Sequence, residues 1–302
     1  MSNIRLTPNE LQLWRKFIHE LTGISLDDKK EYLIQERLGN LLSETGSSSF
    51  SQLYFHARNP ENQPIRDQVI DALTTNETSF FRDGFPFETL QTTVFPGIIK
   101  RLRSNSSRNN TLRVWSAGCS TGQELFSIAM ILAELNVEAQ NINIELLGTD
   151  ISKLVLSKAQ NALFTRFEIE RGLSKERRER FFTQRGPDWK LVDSLVKKVS
   201  FRELNLVQPF TFPEKMDLIF CRNVAIYFLP EEKRKLFSKI ARVLDDNGFL
   251  SIGTTENMCS PSSLFREVRF GQTVLYQTLK KTALAQPLPN PSPGVSQTTG
   301  KV

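Results

Sequence analysis

The first 75 residues carry apolar side chains at helical spacing. These positions recur every three or four residues in two runs, Leu11, Trp14, Ile18 and Leu21 in the first and Ile34, Leu38 and Leu41 in the second. This period is typical of amphipathic helices. Thr7 and Pro8 before the first run and Gly23 after it are start and stop signals for a helix. The pattern predicts a small helical domain over residues 1–75.

Beyond residue 110, short apolar runs alternate with helical patterns. Strands are predicted at Leu112–Trp115, Ile142–Leu147, Met216–Phe220 and Gly248–Ile252. Helices are predicted from Leu125 to Leu135, from Ser152 onward, and through Leu236, Ile240 and Val243. This alternation is typical of a parallel sheet whose strands are joined by crossover helices. It predicts an α/β domain over residues 111–280.

The end of this domain departs from the alternation. Glu267–Phe270 and Thr273–Thr278 flank Gly271, which predicts a β-hairpin in place of another strand–helix–strand unit. This antiparallel ending favours the sheet of a methyltransferase over that of a dehydrogenase.

Three further stretches lie outside the regular pattern. Residues 76–110 are interpreted as a linker and cofactor lid, ending in the polar loop Ser104–Asn110. The alternation from Trp189 to Phe201 predicts a small β insertion at about residues 187–203. From Ala285 onward the chain is rich in Pro, Ser, Gly and Thr, so residues 281–302 are predicted to be a disordered tail.

Composition indicates a soluble globular protein. The chain has 302 residues, of which 39% are apolar and 24% charged, enough for one large domain with a smaller companion. No stretch approaches the roughly 20 apolar residues that span a bilayer. The N-terminus lacks the apolar core of a secretory signal. We therefore expect a cytoplasmic protein.

Cysteine and histidine usage argues against metal and imidazole chemistry. Cys119, Cys221 and Cys259 lie far apart in the sequence, and the only histidines are His19 and His56. A zinc site, a histidine-based metal centre and a catalytic triad are therefore not expected. The reaction has to proceed without imidazole.

The formal net charge of +6 favours acidic partners, such as nucleic acid, a membrane surface or an acidic protein. One basic cluster runs from Lys100 to Arg113 without an acid between its members, and a second, from Arg171 to Arg185, also contains glutamates. Solvated surface faces produce the same pattern. Both interpretations stay open.

A turn of small residues joins the first predicted strand to the next helix, from Val114 to Glu124. Small side chains let a ligand approach the backbone at the carboxyl edge of a parallel sheet. The turn lacks the G-x-G-x-x-G spacing, which weakens a dinucleotide interpretation. A tight turn with only a structural role remains the alternative.

Polar residues follow the next strands at the same predicted edge. Asp150 ends the second strand, where it would bind the ribose hydroxyls of an adenosine or cap the following helix. Asn223 follows the third strand, and Tyr227 lies one helical turn later. Both side chains face a ligand, or Asn223 is an ordinary loop residue and Tyr227 part of the core. Upstream, the polar segment Thr74–Asp83 is a functional loop or a linker.

In their order and residue identities, these segments resemble the CheR-type chemotaxis receptor methyltransferases, which methylate glutamates of methyl-accepting chemotaxis proteins. The resemblance runs from the N-terminal helices to about Leu279. It is carried by Asn76-x-Thr78-x-Phe80-Phe81-Arg82, Trp115-Ser116-Ala117-Gly118-Cys119-Ser120-Thr121-Gly122-Gln123-Glu124, Gly148-Thr149-Asp150-Ile151-Ser152, Asn205-Leu206 and Phe220-Cys221-Arg222-Asn223-Val224. Leu125 departs from the family, which usually has proline there; little functional loss is expected.

The resemblance implies a Rossmann-like class I methyltransferase sheet and S-adenosylmethionine (SAM) as cofactor, with no metal. The cofactor contacts it implies are Asn76, Thr78, Arg82, Glu124, Asp150, Asn205, Leu206, Asn223 and Val224. Arg82 and Tyr227 are also the residues it implies for aligning the reacting groups. Because a glutamate carboxylate is ionised at neutral pH, such a reaction needs no general base.

The implied partner is the cytoplasmic helical domain of methyl-accepting chemotaxis receptors, so membranes are reached only through receptors and nucleic acid is not a partner. In this family the β insertion touches the receptor. Members that dock on a receptor's C-terminal pentapeptide have a longer, glycine-richer loop there than the segment from Phe182 to Val199. We therefore expect no need for that tether.

Two alternative functions fit the sequence less well. A nucleic-acid methyltransferase would suit the basic charge, but it is expected to carry an Asn-Pro-Pro-Tyr type of segment where this chain has Arg222-Asn223-Val224. A non-catalytic SAM-sensing module is expected to have a damaged cofactor motif, and the motifs here are intact.

Overall fold

The N-terminal region is a bundle of four helices in the computed structural model, which describes residues 4–26, 31–104, 110–258 and 264–279. They are α1 (Pro8–Thr22), α2 (Glu31–Glu44), α3 (Phe50–Arg58) and α4 (Gln63–Leu73). Helix α1 begins at a capping box formed by Thr7 and Glu10 and ends at Gly23, whose φ is 75°. The helices predicted here are confirmed.

Trp14 anchors this bundle. Its side chain is fully buried, and its Nε1 donates a hydrogen bond to the carbonyl of Phe50 at 3.1 Å. The rings of Phe17 and Tyr54 meet the indole edge to face, with centroids 5.9 and 5.8 Å away. The bundle therefore has an apolar core of its own, separate from that of the sheet.

Residues 76–110 are not simply a linker. They contain α5 (Phe85–Thr89), a π-helical turn (Leu90–Val94) and α6 (Phe95–Ser104) in direct succession. The apolar face of this helical run, including Phe87, Leu90 and Phe95, is buried in the same core as strand residues of the sheet. Burial of that face explains why the segment is helical, a feature that the linker interpretation missed.

The rest of the chain alternates strands with helices. The strands are β1 (Thr111–Ala117), β2 (Asn143–Asp150), β3 (Leu163–Thr165), β4 (Phe182–Arg185), β5 (Asp188–Leu191), β6 (Val199–Glu203), β7 (Met216–Cys221), β8 (Leu244–Ile252), β9 (Phe265–Phe270) and β10 (Thr273–Thr278). The remaining α-helices are α7 (Gln123–Glu134), α8 (Lys153–Asn161), α9 (Arg166–Glu170), α10 (Lys175–Phe181), α11 (Asp193–Val196) and α12 (Pro230–Val243). Every strand and helix predicted in this region is present, although β8 begins at Leu244, four residues before the predicted start.

Seven strands form the main sheet, in the order β6-β2-β1-β7-β8-β10-β9. The first five run parallel, and β10 is antiparallel to both β8 and β9. The α/β class, the parallel sheet and the C-terminal antiparallel hairpin are therefore as predicted. Strand order reverses at β1, between β2 and β7, and ligands of open α/β sheets bind at such a point.

The small β insertion does not lie at residues 187–203. β3, β4 and β5 form a separate antiparallel sheet in the order β3-β5-β4, so the insertion spans residues 163–191. β6 instead joins the main sheet in parallel with β2, with Val199 opposite Leu146. The three residues of β3 carry no strand pattern of their own in the sequence. They form a strand because they pair with β5.

Some sequence predictions concern residues that the structure does not describe. Loop residues 105–109, Cys259 and the predicted tail from Ala285 lie outside the described residues. Among the described helices, none is both long and apolar enough to cross a membrane.

Candidate active site

A cleft of about 920 Å³, counting its open mouth, lies at the carboxyl ends of β1, β2 and β7. The N-terminal bundle and residues 74–78 form its other wall. All of the residues predicted for the site line this cleft, namely Asn76, Thr78, Arg82, Glu124, Asp150, Asn205, Leu206, Asn223, Val224 and Tyr227. The fold thus brings together five sequence segments that are up to 150 residues apart, roughly half the chain.

The turn after β1 is fastened to the end of β2. The N–H groups of Gly118 and Cys119 both donate to the carbonyl of Thr149, at 2.8 and 2.9 Å. Gly118 has a φ of 76°, and a Cβ atom there would lie 2.4 Å from Cγ2 of Val224. The turn therefore requires glycine both for its conformation and for its close packing against the loop after β7.

Asp150 lies buried at the end of β2. Its Oδ2 accepts from the N–H of Ser120 at 2.9 Å and its Oδ1 from the N–H of Ser152 at 3.0 Å. Burial raises the pKa of this carboxyl group, and the backbone donors oppose that rise. The side chain that caps α8 is Ser152, whose Oγ accepts from the N–H of Val155. Asp150 is therefore not the helix cap that the sequence left open.

Glu124 lies in the first turn of α7 and faces the cleft. Its Oε1 accepts from Ser116 Oγ at 2.8 Å, and its Oε2 from Arg222 Nη1 at 3.2 Å. Burial raises the pKa of this carboxyl group, whereas the positive charge of Arg222 and both hydrogen bonds lower it. A carboxylate here is thus held in one orientation by two fixed donors.

Arg222 is a cleft residue that the sequence predictions did not single out, although it stands within a quoted motif. Its Nη2 donates to Asp83 Oδ2 at 2.6 Å and to the carbonyl of Arg82 at 3.1 Å. Its guanidinium lies 5.6 and 5.7 Å from the ring centroids of Phe87 and Phe220. Only 1% of the side chain is exposed. Such a buried cation is tolerable because carboxylates and ring faces surround it.

Residues 76–83 form the rim of the cleft. Ser120 Oγ donates to the carbonyl of Asn76 at 2.9 Å, which ties the rim to the turn after β1. Arg82 Nη1 donates to the carbonyl of Glu77 at 2.9 Å, so the guanidinium retains donors for a ligand.

Asn205 already uses both ends of its side-chain amide within the protein. Its Nδ2 donates to the carbonyl of Leu21 at 2.8 Å, and its Oδ1 accepts from the N–H of Val207 at 3.1 Å. The first bond joins the loop after β6 to the end of α1. Asn205 therefore holds the N-terminal bundle against this loop, a part that its sequence position did not reveal.

The loop after β7 is shaped by Glu256, which sequence reasoning missed. Its Oε2 accepts from the N–H groups of Asn223 and Gly253, at 2.8 and 2.6 Å, and its Oε1 from that of Ile226 at 3.1 Å. Asn223 is held in the left-handed region, with φ 59°. No sequence pattern links Glu256 to this loop, because only the neighbouring ends of β7 and β8 bring them together.

The N-terminal bundle closes over the same loop. The N–H of Ser25 donates to the carbonyl of Tyr227 at 2.9 Å, and Ile24 forms an antiparallel bridge with Phe228. Tyr227 thus sits where the bundle, the sheet and the cleft meet.

The two described cysteines, Cys119 and Cys221, are buried. Burial raises the pKa of both thiols well above the ordinary value, which favours the protonated form. Among the described residues, no group of three His, Cys, Asp or Glu side chains could hold a metal ion.

The sheet order, the reversed strand β10 and the cleft at the carboxyl edge define a class I methyltransferase fold. A family model described as "CheR methyltransferase, SAM binding domain" matches residues 76–274. A second, described as "CheR methyltransferase, all-alpha domain", matches residues 9–74. The chain belongs to the CheR methyltransferase family, as its motifs indicated.

Two relatives named chemotaxis protein methyltransferases agree with this assignment. Chemotaxis protein methyltransferase Cher2 of Pseudomonas putida is 34% identical over 272 residues, which cover 89% of this chain and 97% of that protein. Chemotaxis protein methyltransferase 1 of Vibrio cholerae is 32% identical over 280 residues, covering 92% and 99%. A solved TehB-like SAM-dependent methyltransferase from Corynebacterium glutamicum is 12% identical, covers 61% of this chain and 88% of its own, and has a TM-score of 0.34.

Replacing Gly118 by alanine tests the close packing of the turn. We expect Gly118→Ala to lower the free energy of unfolding by about 2–4 kcal/mol, because left-handed strain adds to overlap with Val224. Gly186→Ala is the matched control, since Gly186 also has a positive φ, 60°, but nothing lies within 4 Å of its added Cβ. Urea unfolding measures the free energy of unfolding of both variants. Equal losses of stability in the two variants would contradict the overlap at Gly118.

Proposed function

We propose that this protein transfers the methyl group of SAM to glutamate side-chain carboxylates of methyl-accepting chemotaxis receptors, forming glutamyl methyl esters. The observation that carries the proposal is the match to relatives named chemotaxis protein methyltransferases along nearly their whole length. The cleft supports it, because every residue implied by the family resemblance faces one space.

The residues of the cleft fit SAM. Asp150 offers a buried carboxylate to the ribose hydroxyls, since a carboxylate has about four acceptor sites and the N–H groups of Ser120 and Ser152 take up only part of them. The turn at Gly118 lines the cleft, and Glu124 offers its carboxylate to the ammonium of the methionine end. When bound, SAM supplies an electrophilic methyl group on a positively charged sulfur.

The remaining predicted residues of the cleft hold the cofactor and orient the reacting groups. Asn76, Thr78, Asn223 and Val224 line the cofactor's space, and Asn205 and Leu206 close it on the side of the bundle. Arg82 steers the substrate carboxylate through its free guanidinium donors, and Tyr227 orients the acceptor. Because the acceptor carboxylate is ionised at neutral pH, the protein supplies position and charge, not a base.

The insertion bears on how the receptor is held. β4 and β5 are joined by Gly186 and Pro187 alone, because Arg185 pairs directly with Asp188. A two-residue turn leaves no extended loop beside the strands. This supports our proposal that the receptor's cytoplasmic helices are recognised without a C-terminal pentapeptide tether.

Calorimetric titration with a receptor C-terminal pentapeptide tests that part of the proposal. We expect no heat of binding at micromolar peptide, because the short β4–β5 turn offers little surface beyond the strand edges. A scrambled pentapeptide is the control. Saturable binding of the native peptide alone would contradict the proposal.

Two substitutions separate cofactor binding from turnover. Asp150→Ala is expected to raise the Kd for SAM about ten- to hundredfold, because hydrogen bonds to a charged acceptor are lost. Arg82→Ala is expected to lower kcat on the order of a hundredfold while the Kd changes less, because it removes charge near the reacting groups. Arg269→Ala, on the exposed hairpin, is the control. Unchanged turnover in Arg82→Ala would remove that residue from the mechanism.

Transfer of a labelled methyl group to a receptor cytoplasmic fragment tests the chemistry. We expect label on the fragment that mild base releases as methanol, because esters hydrolyse under these conditions and N-methyl groups do not. A fragment whose methyl-accepting glutamates are changed to alanine is the control. Base-stable label, or label on a nucleic acid instead, would contradict the proposal.

A further inference from the structure

The rim, residues 76–83, packs against the insertion. Phe80 is fully buried, with its ring 5.0 Å from that of Phe164 and 5.5 Å from that of Phe182. A Cβ atom on Gly172 would lie 1.9 Å from the Phe80 carbonyl oxygen, so the insertion touches the rim's backbone directly. The rim is therefore packed as part of the insertion as much as part of the cleft.

An ion pair adds to this packing. Arg171 Nη2 lies 2.7 Å from Glu77 Oε1, and it lowers the pKa of the Glu77 carboxyl group. The carbonyl of the same Glu77 accepts the hydrogen bond from Arg82. Glu77, whose carbonyl orients the Arg82 guanidinium, is thus held in place by a residue of the insertion.

Phe81, the residue before Arg82, has an unusual backbone conformation. Its φ is 49°, in the left-handed region that bulky side chains rarely adopt. Its N–H donates to Ser127 Oγ at 3.0 Å, and Ser127 Oγ in turn donates to the carbonyl of Gln123. Strained conformations of this kind persist only where surrounding contacts hold them, and they cluster at functional sites.

Arg177 of α10 supplies the contact on the other side of Phe81. Its guanidinium carbon lies 4.0 Å from the centroid of the Phe81 ring. Its Nε and Nη2 donate to the two carboxylate oxygens of Glu134, at 2.8 and 2.9 Å, and Nη2 lies 3.3 Å from Gln91 Oε1. A guanidinium held by a bidentate carboxylate contact is a rigid plane, and it restricts the Phe81 ring to one position.

We propose that Arg177 is a positioning residue for Arg82. It acts through the Phe81 ring, which it holds in the conformation that aims the next side chain at the cleft. The proposal rests on the function proposed above for Arg82, and it makes the insertion a support of the active site as well as a surface for partners.

Kinetics separate this role from a merely structural one. Arg177→Met keeps an unbranched apolar stem and removes the charge and the fork of the guanidinium, so we expect kcat to fall about tenfold, as expected when a reacting group is misplaced by a fraction of an ångström. The Kd for SAM, measured by calorimetry, is expected to change less than about twofold, because Asp150 and Glu124 are untouched. Arg177→Lys, which retains the charge over the ring, is expected to recover part of the loss.

Arg180→Met is the matched control. Arg180 lies on the same helix and also stacks on a phenylalanine, with its guanidinium carbon 4.9 Å from the Phe181 ring centroid. No described contact joins Arg180 to residues 76–83. We expect its kcat to match the unmodified protein, and a loss equal to that of Arg177→Met would overturn the proposal.

A double-mutant cycle completes the test. If Arg177 acts through Arg82, Arg177→Met lowers kcat less than about twofold further in an Arg82→Ala background. A full tenfold loss in that background, or an unaltered kcat in Arg177→Met alone, would overturn the role of Arg177 only. Unaltered kcat in Arg82→Ala would instead overturn the proposed function of Arg82. Should Arg177→Met fail to bind SAM, Arg177→Lys carries the same cycle.

Discussion

The buried guanidinium of Arg222 is the interaction on which the cleft depends. It stands at the end of β7 and reaches both Glu124 of α7 and Asp83 of the rim, at 3.2 and 2.6 Å. Three segments that are remote in the sequence are thereby fixed around one charge. With 1% of its side chain exposed, its attraction to the two carboxylates is little screened by water, and loss of either partner would leave a buried charge uncompensated.

A second set of contacts fixes the bundle on the sheet. Asn205 bonds to the carbonyl of Leu21, Ser25 bonds to the carbonyl of Tyr227, and Ser152 Oγ donates to Asp71 Oδ1 at 2.5 Å. Each contact falls beside a residue that lines the cleft. The small helical domain is therefore a wall of the site, and its placement determines the cleft's shape.

Glu124 and Asp150, two acidic residues of the cleft, combine burial with fixed donors. Burial raises the pKa values of Glu124 and Asp150, while Arg222 and the backbone N–H groups around them oppose it. Such carboxylates are already oriented before a ligand arrives, so little ordering cost remains for binding. Arg82, by contrast, lies at the rim, where its Nη1 donates to the carbonyl of Glu77.

The sequence by itself determined the regular elements and the family. Helical spacing found α1 and α2, apolar runs found β1, β2, β7 and β8, and the motif resemblance named ten of the residues that line the cleft, because these signals are local in the chain. Only the tertiary structure decided how distant residues act on each other. Arg222 acts on Asp83, 139 residues away, and Glu256 acts on Asn223, 33 residues away. Arg177 acts on Phe81 of the rim. β3 is a strand only through pairing with β5. Local patterns carry no record of such partners, because burial and pairing arise when the chain folds.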